Sequence, residues 1–269
     1  MVDLLERLSI RDGIKRPSIQ DRPHCTHECL RGLTFGGPID EKCPNSAAHG
    51  NIHLNQLKFL PLARAQLAVD RGHDADCMPL WISDAHGTLF KFRLSSHGYT
   101  LAAKGVEIMD IKYLHHESKV YSHAQDLQGR VIPVCLGVID LIKPYYYDCG
   151  VYENFMFLSY GGRSLKRQGD VSEDAMNEIL TTLGQLYCQG VLHCDAELRN
   201  VLYDKDTSRY MMIDLERSEI HARQPLGTIK VNNSRNQKRK SGLGKLEKDV
   251  FAIEAQSLQT SLRWRQGPV

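Results

Sequence analysis

The chain has 269 residues, enough for one compact core or two modest lobes. Its 42% hydrophobic and 25% charged content is ordinary for a globular protein, and a net charge of +2 argues against a whole-surface basic interface for nucleic acid. No apolar run approaches the roughly 18 residues of a membrane span, and the charged start Met1-Val-Asp-Leu-Leu-Glu-Arg-Leu is not a secretory leader. The expectation is therefore an intracellular chain, cytoplasmic or nuclear, with reduced thiols.

Residues 1 to about 22 are polar, broken by Gly13 and Pro17, and read as a loosely attached arm. Residues 23–50 carry Cys, His, Gly and Pro with little periodicity, which predicts a loop-rich insert. Leu54, Leu57, Leu60, Ala63 and Leu67 have helical spacing, interrupted at Pro61. Segments 78–83, 88–94 and 99–104 predict a three-stranded antiparallel meander with turns at His86-Gly87 and His97-Gly98. A helix over about 112–125 follows, then strands over 131–139 and 155–160, and a break at Gly161-Gly162. Ser172 caps a predicted helix to Gln189 whose apolar face holds Ala175, Ile179, Leu183, Leu186 and Tyr187. Short strands at 201–203 and 210–214 surround the Asp204-Lys-Asp-Thr turn. The run Arg235-Asn-Gln-Lys-Arg-Lys240 reads as a solvated loop, a helix resumes over about 246–262, and residues 266–269 are frayed. The order predicts an α+β fold: a sheet with one helix, a glycine break, then a mainly helical half.

The strongest chemical signal is His193-Cys-Asp195-Ala-Glu197-Leu-Arg-Asn200 between a helix and a strand. Phosphoryl transfer uses an Asp that orients the attacking hydroxyl and, five residues on, an Asn that binds Mg²⁺. Asp214 closes an apolar strand fourteen residues later, where such enzymes hold Mg²⁺. Upstream, Lys104 ends an apolar strand and could reach the phosphates of ATP. Glu117 on the next helix is its chosen carboxylate partner, with Glu107 as the alternative. Leu158, Ser159 and Tyr160 would offer backbone to adenine.

Departures accompany these matches. The phosphate-covering segment Ser83-Asp-Ala-His-Gly87-Thr keeps one glycine, and Asp84 adds negative charge. The metal motif reads Asp-Leu-Glu, Glu197 stands where conventional protein kinases carry a lysine, and no Ala-Pro-Glu follows Asp214. Cys25-Thr-His-Glu-Cys-Leu, Gly36-Gly-Pro-Ile-Asp, Cys43-Pro-Asn, Ser96-His-Gly-Tyr-Thr-Leu-Ala-Ala-Lys-Gly, Gly129-Arg-Val-Ile-Pro-Val-Cys-Leu-Gly and His193-x-Asp-Ala-Glu-Leu-Arg-Asn-Val-Leu carry a resemblance over about residues 23–220. In them the chain resembles an atypical fungal protein-kinase-like family. The resemblance implies a bilobal kinase fold over residues 53–269, with an N-lobe at about 75–160 and a C-lobe at about 163–265, preceded by an arm and Cys/His-rich insert over 1–52. It also implies ATP use, with a hydroxyl acceptor it does not identify. A binding-only pseudokinase is the rival reading.

Cys25, Cys29, Cys43 and His49 form a separate group that reads either as reduced cysteines packed against the N-lobe or as three thiolates and an imidazole suited to a tetrahedral structural zinc. His24, His27 and His53 compete for the fourth position.

Overall fold

The structure is a computed structural model that describes residues 18–72, 74–83, 86–167, 171–221 and 249–264. Residues 1–17 of the expected arm, Asp84, the 235–240 basic run and residues 266–269 lie outside the described residues, whereas the end of that arm is attached, with Ile19 buried in a short turn and Lys91 donating to the Gln20 carbonyl.

The segment expected to be loop-rich contains a helix, α1 (His27–Phe35). Thr26 caps it by accepting from the Cys29 amide at 3.2 Å, and Gly36, at φ 86°, ends it. Its buried apolar side chains are Cys29, Leu30 and Leu33, beside buried His27 and Gly32, too few apolar positions to show a period. Helix α2 (Gln56–Val69) begins at the Asn55 cap and runs through Pro61. The expected interruption does not occur: Pro61 sits on the solvent face and removes one amide bond. Phe59, Ala63 and Leu67, four residues apart, make the buried stripe.

That stripe packs on a five-stranded antiparallel sheet in the order β1-β2-β3-β5-β4. The strands are β1 (Cys77–Ser83), β2 (Thr88–Leu94), β3 (Tyr99–Val106), β4 (Cys135–Tyr147) and β5 (Gly150–Leu158). The meander appears as predicted. The expected strand over 131–139 instead starts at Cys135 and continues to Tyr147, pairing with β5 through a turn at Asp148 and Cys149, both at positive φ. Pro144 hid this extension. It lies where the register slips between Asp140 and Tyr145, a bulge that dispenses with its missing amide.

Alternation along the strands sorts the core. Leu101, Ala103, Phe155 and Phe157 join Phe59 and Phe92 under α2. Val106, Met156 and Leu158 point the other way, toward Leu114, Val120 and Tyr121 of α3 (Ile111–His123) and the residues that follow the sheet. Those residues form α4 (Glu173–Cys188) and α5 (Val250–Trp264). Two small sheets accompany them: β6 (Arg163–Ser164) with β8 (Val201–Asp204) and β9 (Arg209–Met212), and β7 (Val191–Leu192) with β10 (Glu219–Ile220). Ser172 caps α4, as expected, through the Ala175 amide at 3.2 Å. Ile179, Leu183 and Leu186 of α4 meet Leu258 and Leu262 of α5 in one apolar cluster. The architecture is α+β with antiparallel sheets, and no helix of the described residues is long and apolar enough to cross a membrane.

Candidate functional site

The period of two along β3 puts Lys104 on the α3 face, between Ala102 and Val106. Its Nζ lies 3.1 Å from Glu117 Oε2, 3.1 Å from Glu216 Oε2 and 3.5 Å from Asp214 Oδ1. The other oxygen of Glu117 accepts from the Leu215 amide at 3.3 Å, tying α3 to the turn after β9. Glu107, the alternative partner, accepts instead from the Val151 amide at 3.0 Å. Asp214 does not close the strand, since β9 ends at Met212. It sits two residues on, in a left-handed conformation (φ 65°). That uncommon backbone state for a non-glycine residue accompanies a carboxylate aimed back at Lys104.

Glu216 was not singled out from the sequence beyond its place in Asp-Leu-Glu. A single 3₁₀ turn, Leu215–Arg217, returns it to the side of Asp214. The ligand oxygens of Glu117, Asp214 and Glu216 lie within 4.8 Å of one another. Burial pushes the Glu117 carboxyl up, the charges of Asp214 and Glu216 add to this, and Lys104 opposes it. Among the described residues three acids surround the Lys104 ammonium, and a set of carboxylate oxygens this close together could hold a metal ion.

The 193–200 loop lies against this group. His193 donates from Nε2 to the Ile213 carbonyl at 2.9 Å, and the Ile213 amide donates to the Asn200 carbonyl at 2.9 Å. Asn200 Nδ2 donates to the Asp195 carbonyl at 2.9 Å and to its Oδ2 at 3.2 Å. Its amide oxygen is thereby the atom available to a metal. Arg199 holds both Asp195 oxygens, at 2.7 and 2.9 Å, and also pairs with Glu197. Sequence reasoning passed over Arg199, although its place four residues after Asp195 was a usable signal. Burial lowers the His193 pKa, against the raising influence of Glu254, Asp214 and Asp195, so the ring is neutral. Glu254 of α5 accepts from the His193 amide at 3.1 Å and the Tyr187 hydroxyl at 2.8 Å, fixing where the loop begins.

Gly87 lies against Lys104: a Cβ there would stand 2.8 Å from the Gly105 carbonyl and 3.3 Å from Lys104 Cε. Beside it His86 bonds Asp110 at 3.0 Å and approaches Glu216 at 3.7 Å. Leu158 ends β5 inside the core. Ser159 is bonded to Val134 in both directions, each at 2.8 Å, and the Tyr160 ring stacks on His24 with centroids 4.2 Å apart. The structure thus brings Lys104, Glu117 and Asp214 into contact and laces Asp195 and Asn200 to the segment carrying Asp214. Gly87 flanks them.

The four cysteine and histidine residues also meet. Cys25, Cys29, Cys43 and His49 are all buried, with ligand atoms within 4.8 Å of one another, and could bind a metal such as zinc. Mutual hydrogen bonding with Cys25 and Cys43, together with burial, holds the Cys29 thiol far above its ordinary range. The competing histidines are engaged elsewhere: His53 with Tyr99 and Pro38, His27 with Ser159, and His24 on Tyr160.

No protein-family model matches the chain. Over 237 residues, 86% of its length, it is 31% identical to the meiotic driver SPOK2 of Podospora anserina, of which it spans 30%. Over 96 residues, 32% of its length, it is 25% identical to the probable serine/threonine-protein kinase fnkB of Dictyostelium discoideum, of which it spans 18%. The chain therefore covers less than a third of either relative, and carries similarity to a fungal protein and, over part of its length, to a probable protein kinase.

Proposed function

We propose that the chain is an atypical kinase, bilobal over residues 53–269, that transfers the γ-phosphate of ATP to a hydroxyl acceptor with the help of Mg²⁺. The observation that carries this reading is the meeting of Lys104 and Glu117 with Asp214. Lys104 and Glu117 lie 13 residues apart on a strand and a helix, and Asp214 comes from a turn 110 residues beyond Lys104. A surface ion pair does not need such convergence, whereas holding phosphates beside a metal does. Partial similarity to a probable protein kinase supports it.

In this reading ATP lies between the sheet and the helical part, beside Leu158, Tyr160 and Gly87. Lys104, held by Glu117, meets the α- and β-phosphates. Asp214 and Asn200 hold Mg²⁺, and Glu216 adds a third oxygen donor where protein kinases carry glycine. Bound Mg²⁺ neutralises charge on the phosphates. Asp195 orients the acceptor hydroxyl and takes up its proton. For this Arg199, which holds both Asp195 oxygens, must first release them; it then meets the transferred phosphoryl group in place of the lysine missing at Glu197, and ADP departs. Asp195→Ala should lose phosphoryl transfer while keeping the wild-type melting temperature, measured with radiolabelled ATP and a panel of proteins and hydroxyl compounds. Transfer at the wild-type rate would overturn the assignment.

The clasp of Arg199 on Asp195 and the lone glycine at Gly87 favour a second reading, a nucleotide-binding pseudokinase that acts as an interaction module. Mg²⁺-dependent stabilisation by ATP with no transfer to any acceptor, and no gain on Arg199→Ala, would select it.

A further inference from the structure

We propose that Cys25, Cys29, Cys43 and His49 hold one structural zinc ion, and that this ion locks residues 24–49 as a clamp across the connection between the sheet and the part that follows it. The inference is independent of the phosphotransfer reading.

The geometry of the cluster is that of a metal site. With Zn–S near 2.3 Å and Zn–N near 2.0–2.1 Å, a tetrahedral ion separates sulfur and nitrogen by about 3.6 Å. His49 Nε2 stands 3.6 Å from Cys25 Sγ and 3.4 Å from Cys43 Sγ. The surroundings are built to the same end. His49 Nδ1 donates to the His97 carbonyl at 2.7 Å, which fixes the tautomer and leaves the Nε2 lone pair toward the sulfurs. The ring stacks on Tyr99 with centroids 4.0 Å apart. The Thr100 amide and Asn45 Nδ2 point at Cys25 Sγ from 3.3 and 3.5 Å, as N–H donors do around a thiolate carrying part of a metal's charge.

Cys25 and Cys29 bracket the start of α1, and between them lies His27. Val134 N donates to Ser159 Oγ, and Ser159 Oγ lies 2.8 Å from His27 Nδ1. His27 Nε2 is 3.4 Å from Asp204 Oδ2 on β8. The ring thus touches Ser159, the residue after β5, which in turn is bonded to Val134 just before β4, and it touches the hairpin beyond the glycine break. His24 adds its stack on Tyr160. A helix of nine residues with three buried apolar side chains is marginal in isolation. A metal at its first turn supplies what holds His27 in place.

The test begins with metal analysis of the purified chain, kept reduced and never exposed to chelator. It should carry one zinc, and Co²⁺ in its place should show the visible absorption of a tetrahedral thiolate site. Cys43→Ser and His49→Ala should retain less than about a tenth of the metal; if they do not fold, chelator titration of the wild-type chain reads the same site. Hydrogen exchange at the Val134 and Ser159 amides reads the clamp without nucleotide. It should accelerate by about tenfold or more on zinc removal, and equally in His27→Ala with zinc content unchanged. A chain that takes up no zinc, or that contains a disulfide among the three cysteines instead, overturns the site. A loaded His27→Ala chain with unchanged exchange overturns the clamp.

Discussion

Lys104 is buried among three carboxylates, and its removal should be felt twice. Lys104→Met leaves Glu117, Asp214 and Glu216 facing one another without the ammonium they share, a change that typically costs about 3–5 kcal/mol. Mg²⁺ should restore part of that loss, so the variant's melting temperature should rise with MgCl₂ more steeply than the wild type's. An equal response in both chains would argue that no cation enters this cluster. His193 gives a pH signature of its own. Its folded pKa is depressed by burial, so the stabilisation tied to its neutral ring is present above about pH 6.5 and is lost as pH falls toward the folded value. Among the described residues its Nδ1 is buried without a hydrogen-bond partner, so the protonated ring would carry an unsatisfied donor. His193→Asn should flatten this acid-side loss in urea titrations run across pH 5–8; an unchanged slope would assign the loss to other groups.

At the scale of elements, α5 reaches the start of the 193–200 loop through the Glu254 side chain. Glu254→Ala leaves the His193 amide and the Tyr187 hydroxyl without their shared acceptor, at a cost of about 1–3 kcal/mol. Under the kinase reading, transfer should fall while the KM for ATP stays put, because Lys104 and Glu117 lie on other elements. A rise in KM with kcat unchanged would mean that Glu254 serves nucleotide binding instead. Elements also show what was legible in the sequence. The meander and α4 were readable because short runs with β-branched and aromatic residues between turn residues, and the Ser172 cap with its apolar stripe, are local signals. Helix α1 was not, because its burial depends on the sheet and on the cysteine cluster rather than on its own pattern. The long β4 was masked by Pro144 at a bulge that only its partner strand defines. Lys104, Glu117 and Asp214 were legible from order and spacing. Glu216 and Arg199 were not, because their roles come from a tight turn and from a clasp across four residues, which residue type alone does not announce.

For the whole molecule the consequence is coupling. Lys104 and Glu117 belong to the sheet and its helix, while Asp214 and Glu216 belong to the part built around α4 and α5, and the two sets meet at one point. A ligand that bridges them should therefore stabilise both parts together. ATP with Mg²⁺ at a hundred times its Kd should add about 2.7 kcal/mol to the free energy of unfolding. The gain should appear as one cooperative shift, because the apolar cluster holding Val106 and Met156 also holds Ile179 and Leu258. Under the kinase reading, Asp214→Asn removes the charge proposed to hold Mg²⁺, with little change in volume, and should abolish the Mg²⁺-dependent share while sparing whatever ATP contributes alone. Calorimetry with ATP, MgCl₂ or both reads the three quantities separately. Two transitions that respond differently to ligand would mean that the parts melt as independent units, and that the contact around Lys104 does not carry the coupling argued for it.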